Sequence, residues 1–221
     1  MAADSYGRDV FVNCPFDPAY RPLFHAMLFA IYACDFRPRC ALEVADSGEV
    51  RIAKILKIIR NCRLGIHDIS RVDFDPVSKL PRFNMPLELG LFLGAKEFGD
   101  DAQRRKLCLI LDSEPYRYQR FCSDIAGQDI QSHGGEPSTL VRVVRGWFHS
   151  VLADESRRAT KRRPFKVIPG HAVIVEKYGE FRRDLPALCL KSGLDDSDLD
   201  YGDFELIASS WLRRNPWKPA V

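Results

Sequence analysis

Short apolar runs alternate with helix-like segments through the first half of this chain. Three of the runs, residues 9–14, 64–69 and 107–111, contain few polar residues and show no polar–apolar alternation. A more polar run, residues 37–43, lies between the first two. Strands without polar alternation are typical of parallel sheets covered on both faces, and strands that alternate with helices are typical of doubly wound folds. The sequence therefore predicts an α/β fold with a doubly wound parallel sheet.

Helical segments follow the predicted sheet. We expect the α/β domain to span residues 8–153, a basic linker or exposed loop to cover 154–170, and a small helical appendage to cover 171–215. Within the appendage, Asp184 and Pro186 predict the start of a separate helix. Asp is a preferred helix cap, and Pro is favoured at the first helical position.

Composition and charge exclude several classes of protein. The 221 residues carry a formal net charge of +3, which is too small to indicate nucleic-acid binding by itself, and we interpret the basic residues near 157–166 as a solvated linker. No apolar run is long enough to span a membrane, and no signal peptide is visible. The seven cysteines are odd in number and form no CxxC pair, so neither a disulfide framework nor a metal site is predicted. These features favour a cytoplasmic protein that does not bind membranes.

Glu88 is the single acid within an apolar stretch, RFNMPLELGLFLGAK, at residues 82–96. An ionised carboxylate in such surroundings is costly unless it is paired, and without a partner its pKa rises. Two interpretations remain open. In the first, Glu88 has a structural role, either in a capping box or beside the positive end of the helix. In the second, Glu88 is a functional acid.

Polar side chains follow two of the predicted strands, at the sheet edge where parallel sheets bind ligands. Asp17 follows the first strand, Asp68 lies near the end of the third, and Ser70 follows the third. The helix that begins near Asn84 brings Glu88 to the same edge, so we expect these five side chains around one cleft. Each also has a structural interpretation as a turn or cap residue, which the sequence leaves open.

Four segments, in order, resemble a known superfamily. They are DVFVNCPFD near the start, GIHDIS at the third strand, FNMPLELGLFLGAK at the helix and LCLILD at the fourth strand. Together they resemble the TIR-like branch of the TIR and nucleoside deoxyribosyltransferase-like superfamily, where Asp-Ile-Ser, an Asn and Glu-Leu-Gly occur in this order. The segment SDIAGQDIQSH, at residues 123–133, also resembles the part that closes the domain in that branch. The similarity covers residues 8–135.

The resemblance implies a TIR-like, flavodoxin-like fold and cleavage of the N-glycosidic bond of NAD. Glu88 would be the catalytic carboxylate beside C1′ of the ribose. NAD would be the substrate, with no separate cofactor. Because bacterial TIR-like proteins often deplete NAD in antiphage defence, the resemblance also implies a regulated effector activated by homo-oligomerisation or by a partner protein. The residues it implies for binding substrate or positioning Glu88 are Phe16, Asp17, Asp68, Ser70 and Asn84.

Two other functions remain open at this point. A nucleoside or nucleotide N-glycosidase, or a deoxyribosyltransferase, would use the same carboxylate on a different substrate. A non-catalytic nucleotide-sensing or adaptor module would use the same cleft for binding alone, with the helical appendage as a surface for a partner protein.

Overall fold

Five parallel strands form a single sheet in this computed structural model, which describes residues 5–43, 46–72, 81–158 and 167–217. The strands are β1 (Asp9–Asn13), β2 (Arg37–Arg39), β3 (Leu64–Asp68), β4 (Leu107–Asp112) and β5 (Gln131–Ser132). Their order across the sheet is β2-β1-β3-β4-β5, and every neighbouring pair is parallel. The predicted doubly wound α/β fold is confirmed.

Helices connect the strands and continue beyond them. They are α1 (Ser5–Arg8), α2 (Arg21–Ala33), α3 (Arg51–Asn61), α4 (Asn84–Phe98), α5 (Asp101–Arg104), α6 (Pro137–Arg158), α7 (His171–Lys191) and α8 (Tyr201–Arg214). None of the described helices is long and apolar enough to cross a membrane.

The chain divides into two compact units. An α/β unit comprises the described residues within 1–24 and 36–136, and a helical unit comprises those within 25–35 and 137–221. The predicted domain boundary at residue 153 falls inside α6, which is one continuous helix and packs against α7 within the helical unit. Part of the predicted basic linker, residues 159–166, lies outside the described residues.

Within the α/β unit, α3 and α4 pack against one face of the sheet and against each other. Their shared core includes Phe11 of β1, Ile59 of α3 and Phe92 of α4, all buried. A Cβ atom at Gly65 of β3 would lie 2.8 Å from the Phe92 ring. Glycine at this position therefore permits the close approach of α4 to β3, which matters because α4 carries Glu88.

Two local predictions differ from the structure. Pro186 lies inside α7 and does not begin a new helix, and the Asp184 carboxylate accepts a hydrogen bond from Trp211 Nε1 at 2.9 Å. The helical spacing of Ile52, Ile55, Leu56 and Ile59 predicts one apolar stripe on the third helix. In α3, however, Ile52 and Leu56 are 41% and 44% exposed, whereas Ile58 is buried.

Candidate active site

The strand order places a ligand crevice between β1 and β3. In this order the connections from β1 and β3 leave in opposite directions, and open parallel sheets bind ligands outside the carboxyl ends of the strands at such a point. Asn13, the last residue of β1, pairs in register with His67 of β3. The residues at and just beyond the ends of these two strands therefore border the crevice, and they include Cys14, Asp17 and Asp68.

Glu88 lies on the buried face of α4, one turn beyond the first residues of the helix. It is the fifth residue of α4 and is 8% exposed. The cap residue, Phe83, makes no side-chain hydrogen bond to the helix start. A capping box needs the acid at the third helical position, so the capping-box interpretation of Glu88 is excluded.

Burial raises the pKa of Glu88 to about 7, and the positive charge of Arg51, at the start of α3, only partly opposes this effect. Glu88 therefore exchanges its proton near neutral pH. Burial also raises the pKa of Cys14 well above its usual value, and the nearby charges of Asp68, Glu88 and Asp17 add to the effect. Three of the predicted site carboxylates thus lie near enough to Cys14 to affect its pKa.

Asp68 is fully buried at the end of β3 and has three polar neighbours. The hydroxyl of Tyr20 donates to Oδ2, and the backbone N–H of Ser70 donates to Oδ1 at 2.9 Å. His133 Nε2 lies 3.0 Å from Oδ2. The backbone N–H of Gly135 donates to His133 Nδ1 at 2.9 Å, so this ring nitrogen is an acceptor.

The Tyr20 hydroxyl makes a hydrogen bond to a buried charge, so its loss should be costly. We expect Tyr20→Phe to lower the free energy of unfolding by about 1–3 kcal/mol, because Asp68 would lose a donor it cannot replace with water. Urea unfolding measures this change. Tyr116→Phe is the matched control, since Tyr116 is 69% exposed, and it should change stability little. Equal effects of the two substitutions would contradict the assignment.

Arg117 fixes the backbone after β3. Its Nη2 donates to the carbonyl oxygens of Ile69 at 3.1 Å and Ser70 at 2.7 Å, and its Nε donates to Asp112 Oδ1 at 2.8 Å. Asp112 is the last residue of β4, so the guanidinium ties the loop after β3 to the neighbouring strand end. Ser70 is consequently buried, with 6% of its surface exposed.

The remaining predicted site residues occupy more exposed positions. Phe16 is 37% exposed and packs edge-on against Phe24, with ring centroids 5.3 Å apart. Asp17 Oδ1 accepts the backbone N–H of Tyr20 at 3.1 Å, which is the turn role that its sequence context also allowed. Asn84 is exposed at the first position of α4, about one turn before Glu88.

Sequence reasoning missed three residues that shape this site: Tyr20, His133 and Arg117. Tyr20 lies in the loop after β1, and His133 ends the segment that resembles the close of a TIR-like domain. The resemblance of these parts of the sequence to TIR-like proteins was the signal that could have pointed to Tyr20 and His133. Arg117 has no recognisable motif, because two of its partners are backbone carbonyl groups almost fifty residues away.

No group of three or more His, Cys, Asp or Glu side chains within the described ranges is arranged to hold a metal ion. Comparisons with protein-family models, curated proteins and solved structures find no match to this chain.

Proposed function

We propose that this chain cleaves the nicotinamide–ribose bond of NAD, with Glu88 as the catalytic carboxylate. The observation that carries the proposal is Glu88 itself: a buried acid without a capping role, on the helix that follows β3 and whose first turn contacts the end of β1 through the hydrogen bond from Asn13 to Met85. Buried acids with strongly raised pKa values in such clefts are typical of functional sites.

The chemistry of this bond suits a single buried carboxylate. Cleavage proceeds through a transition state that resembles an oxocarbenium ion, and a nearby negative charge stabilises that cation or attacks C1′ to form a ribosyl ester. Low local polarity strengthens the attraction. Nicotinamide bonded to ribose is already cationic and leaves as a neutral base, so the bond can break without a strong general acid.

Arginines near the site favour a phosphorylated substrate over a neutral nucleoside. Arg51 is exposed and lies close enough to Glu88 to oppose the rise of its pKa. Arg82 Nη1 lies 3.4 Å from Asp17 Oδ2. Guanidinium groups bind phosphate oxygens well, and the two phosphates of NAD provide such oxygens. This support is for NAD or another nucleotide, and it disfavours the nucleoside N-glycosidase alternative.

Within this proposal, Asp68 positions the site and does not itself bind ribose. It is fully buried, and both of its carboxylate oxygens have polar partners. Asp17, Phe16 and Asn84 are the predicted residues that remain accessible to a substrate. In the cell, we place this activity in an NAD-depleting defence effector that is activated by self-assembly or by a partner protein.

The pH dependence of the reaction tests the role given to Glu88. A carboxylate that stabilises or attacks a cation must be ionised, so kcat/KM, which reports the free enzyme, should rise with pH up to about 7 and then become constant. A general acid would give the opposite slope. Nicotinamide release at NAD concentrations well below KM, followed from about pH 5.5 to 8.5, measures the profile. A rate that falls across this range would contradict the proposed role.

A further inference from the structure

Asn13 makes two side-chain hydrogen bonds that connect the elements around the crevice. It is the last residue of β1 and is 3% exposed. Its Nδ2 lies 2.8 Å from the carbonyl oxygen of Met85 in α4 and 3.1 Å from Nδ1 of His67 in β3. A carbonyl oxygen only accepts hydrogen bonds, so the amide nitrogen must face it, which fixes the orientation of the side chain.

His67 is a fixed acceptor in this arrangement. Burial, with a smaller contribution from Lys106, lowers its pKa to about 3, so the imidazole is neutral at any working pH. The rings of Phe11 and Phe92 pack edge-on against it, with centroids 5.7 Å and 4.9 Å away. His67 therefore neither transfers protons nor changes position readily, and it holds Asn13 from the β3 side.

Met85 links Asn13 to Glu88. It is the second residue of α4, and Glu88 follows three residues later, so the two lie about one helical turn apart on the same buried face. The start of α4 has no side-chain cap. The hydrogen bond from Asn13 to the Met85 carbonyl group is thus a direct polar contact between the first turn of α4 and the end of β1.

We infer that Asn13 is a positioning residue whose two hydrogen bonds set the place of Glu88 relative to the crevice between β1 and β3. This inference rests on the proposed function of Glu88. Asn13 is too buried to act on substrate itself, so its effect should appear in the chemical step. Small displacements of a catalytic group lower the rate strongly, and an error of about 1 Å can cost about a hundredfold.

The experiment compares Asn13→Leu with Tyr6→Phe. Leucine is close to asparagine in shape and removes both donors. Tyr6→Phe removes one hydrogen bond, from the Tyr6 hydroxyl to the Ala102 carbonyl oxygen at 2.7 Å, in another part of the α/β unit. Asn13→Ser serves as a second variant if the leucine variant fails to fold. Thermal unfolding establishes that each protein is folded at the assay temperature.

We expect Asn13→Leu to lower kcat for nicotinamide release by about ten- to a hundredfold, with KM changed by less than about threefold. Tyr6→Phe should leave both constants unchanged. An Asn13 variant that is folded and keeps the wild-type kcat would overturn the inference. Loss of activity only in proportion to loss of folded protein would overturn it as well.

A second measurement separates this inference from the proposed function. If the wild-type protein releases no nicotinamide, the titration of Glu88 still tests the position of α4. The free energy of unfolding is measured across pH for two proteins that differ only by Glu88→Gln. The pH range over which their difference changes shows where Glu88 loses its proton. Introducing Asn13→Leu into both proteins should move that pH towards the ordinary range of a glutamate, because water then reaches the loosened turn. An unchanged value would overturn the inference.

Discussion

Glu88→Gln is expected to lower the rate of nicotinamide release from NAD by about a hundred- to a thousandfold, the size of effect found when a group that stabilises transition-state charge is removed. Glutamine has nearly the same shape but carries no negative charge, so it can neither stabilise the developing cation nor attack C1′. Because the side chain acts on the transition state, kcat should fall while KM changes by only a few-fold. Chromatographic measurement of nicotinamide over a range of NAD concentrations gives both constants.

The control for this substitution is Glu97→Gln. Glu97 is an exposed acid on the same helix, so the two substitutions remove the same charge from the same element. Glu97→Gln should retain wild-type kcat. If Glu88→Gln also retains it, Glu88 is not the catalytic carboxylate, and a binding role for the crevice becomes the better explanation.

The same substitution is expected to make the protein more stable at alkaline pH. Burial raises the pKa of Glu88 from an ordinary 4.5 to about 7, so the folded state holds a proton that the unfolded state has already lost. Stability should therefore fall as pH rises from about 4.5 to 7, and the loss should persist above 7. A shift of this size corresponds to about 3 kcal/mol, as an upper value.

Glu88→Gln removes this penalty. The variant should be more stable than the wild type by up to about 3 kcal/mol at pH 8, and the difference should shrink towards zero near pH 4, where Glu88 is protonated in both states. Urea unfolding of both proteins at the two pH values measures the difference, and the other titrating groups cancel in the comparison. A difference that does not depend on pH would contradict the raised pKa.

Together, these two expectations describe a site whose catalytic acid lowers the stability of the folded protein. A buried acid near neutrality is unfavourable for folding, and natural proteins retain such residues where function requires them. A purely structural Glu88 would behave differently. Its replacement would change stability without a large change in kcat.

Much of the fold follows from local sequence patterns. The apolar runs at β1, β3 and β4 predict buried parallel strands because no polar residue alternates with them, and the strand–helix alternation predicts their crossover connections. The passage of α7 through Pro186 does not follow from the sequence. Proline is favoured at the start of a helix and disfavoured in its interior, yet α7 continues through this position.

The acidic residues of the candidate site could be identified from the sequence, but the role of each residue could not. Whether Glu88 caps a helix depends on where α4 begins, and sequence patterns locate a helix start only to within a few residues. The beginning at Asn84 removes the capping role. The contacts of Asp68 with Tyr20 and His133 join residues 48 and 65 positions away, so no local pattern reveals that this acid is enclosed.

The central claim is that this protein cleaves NAD, and incubation of the purified wild-type chain with NAD tests it most directly. Protein concentration should be varied over a wide range, so that assembly can occur, and nicotinamide riboside should be incubated in parallel. We predict release of nicotinamide from NAD, with the ADP-ribose part recovered in linear or cyclic form. Recovery of intact NAD at every concentration, or free base from the riboside alone, would contradict the claim.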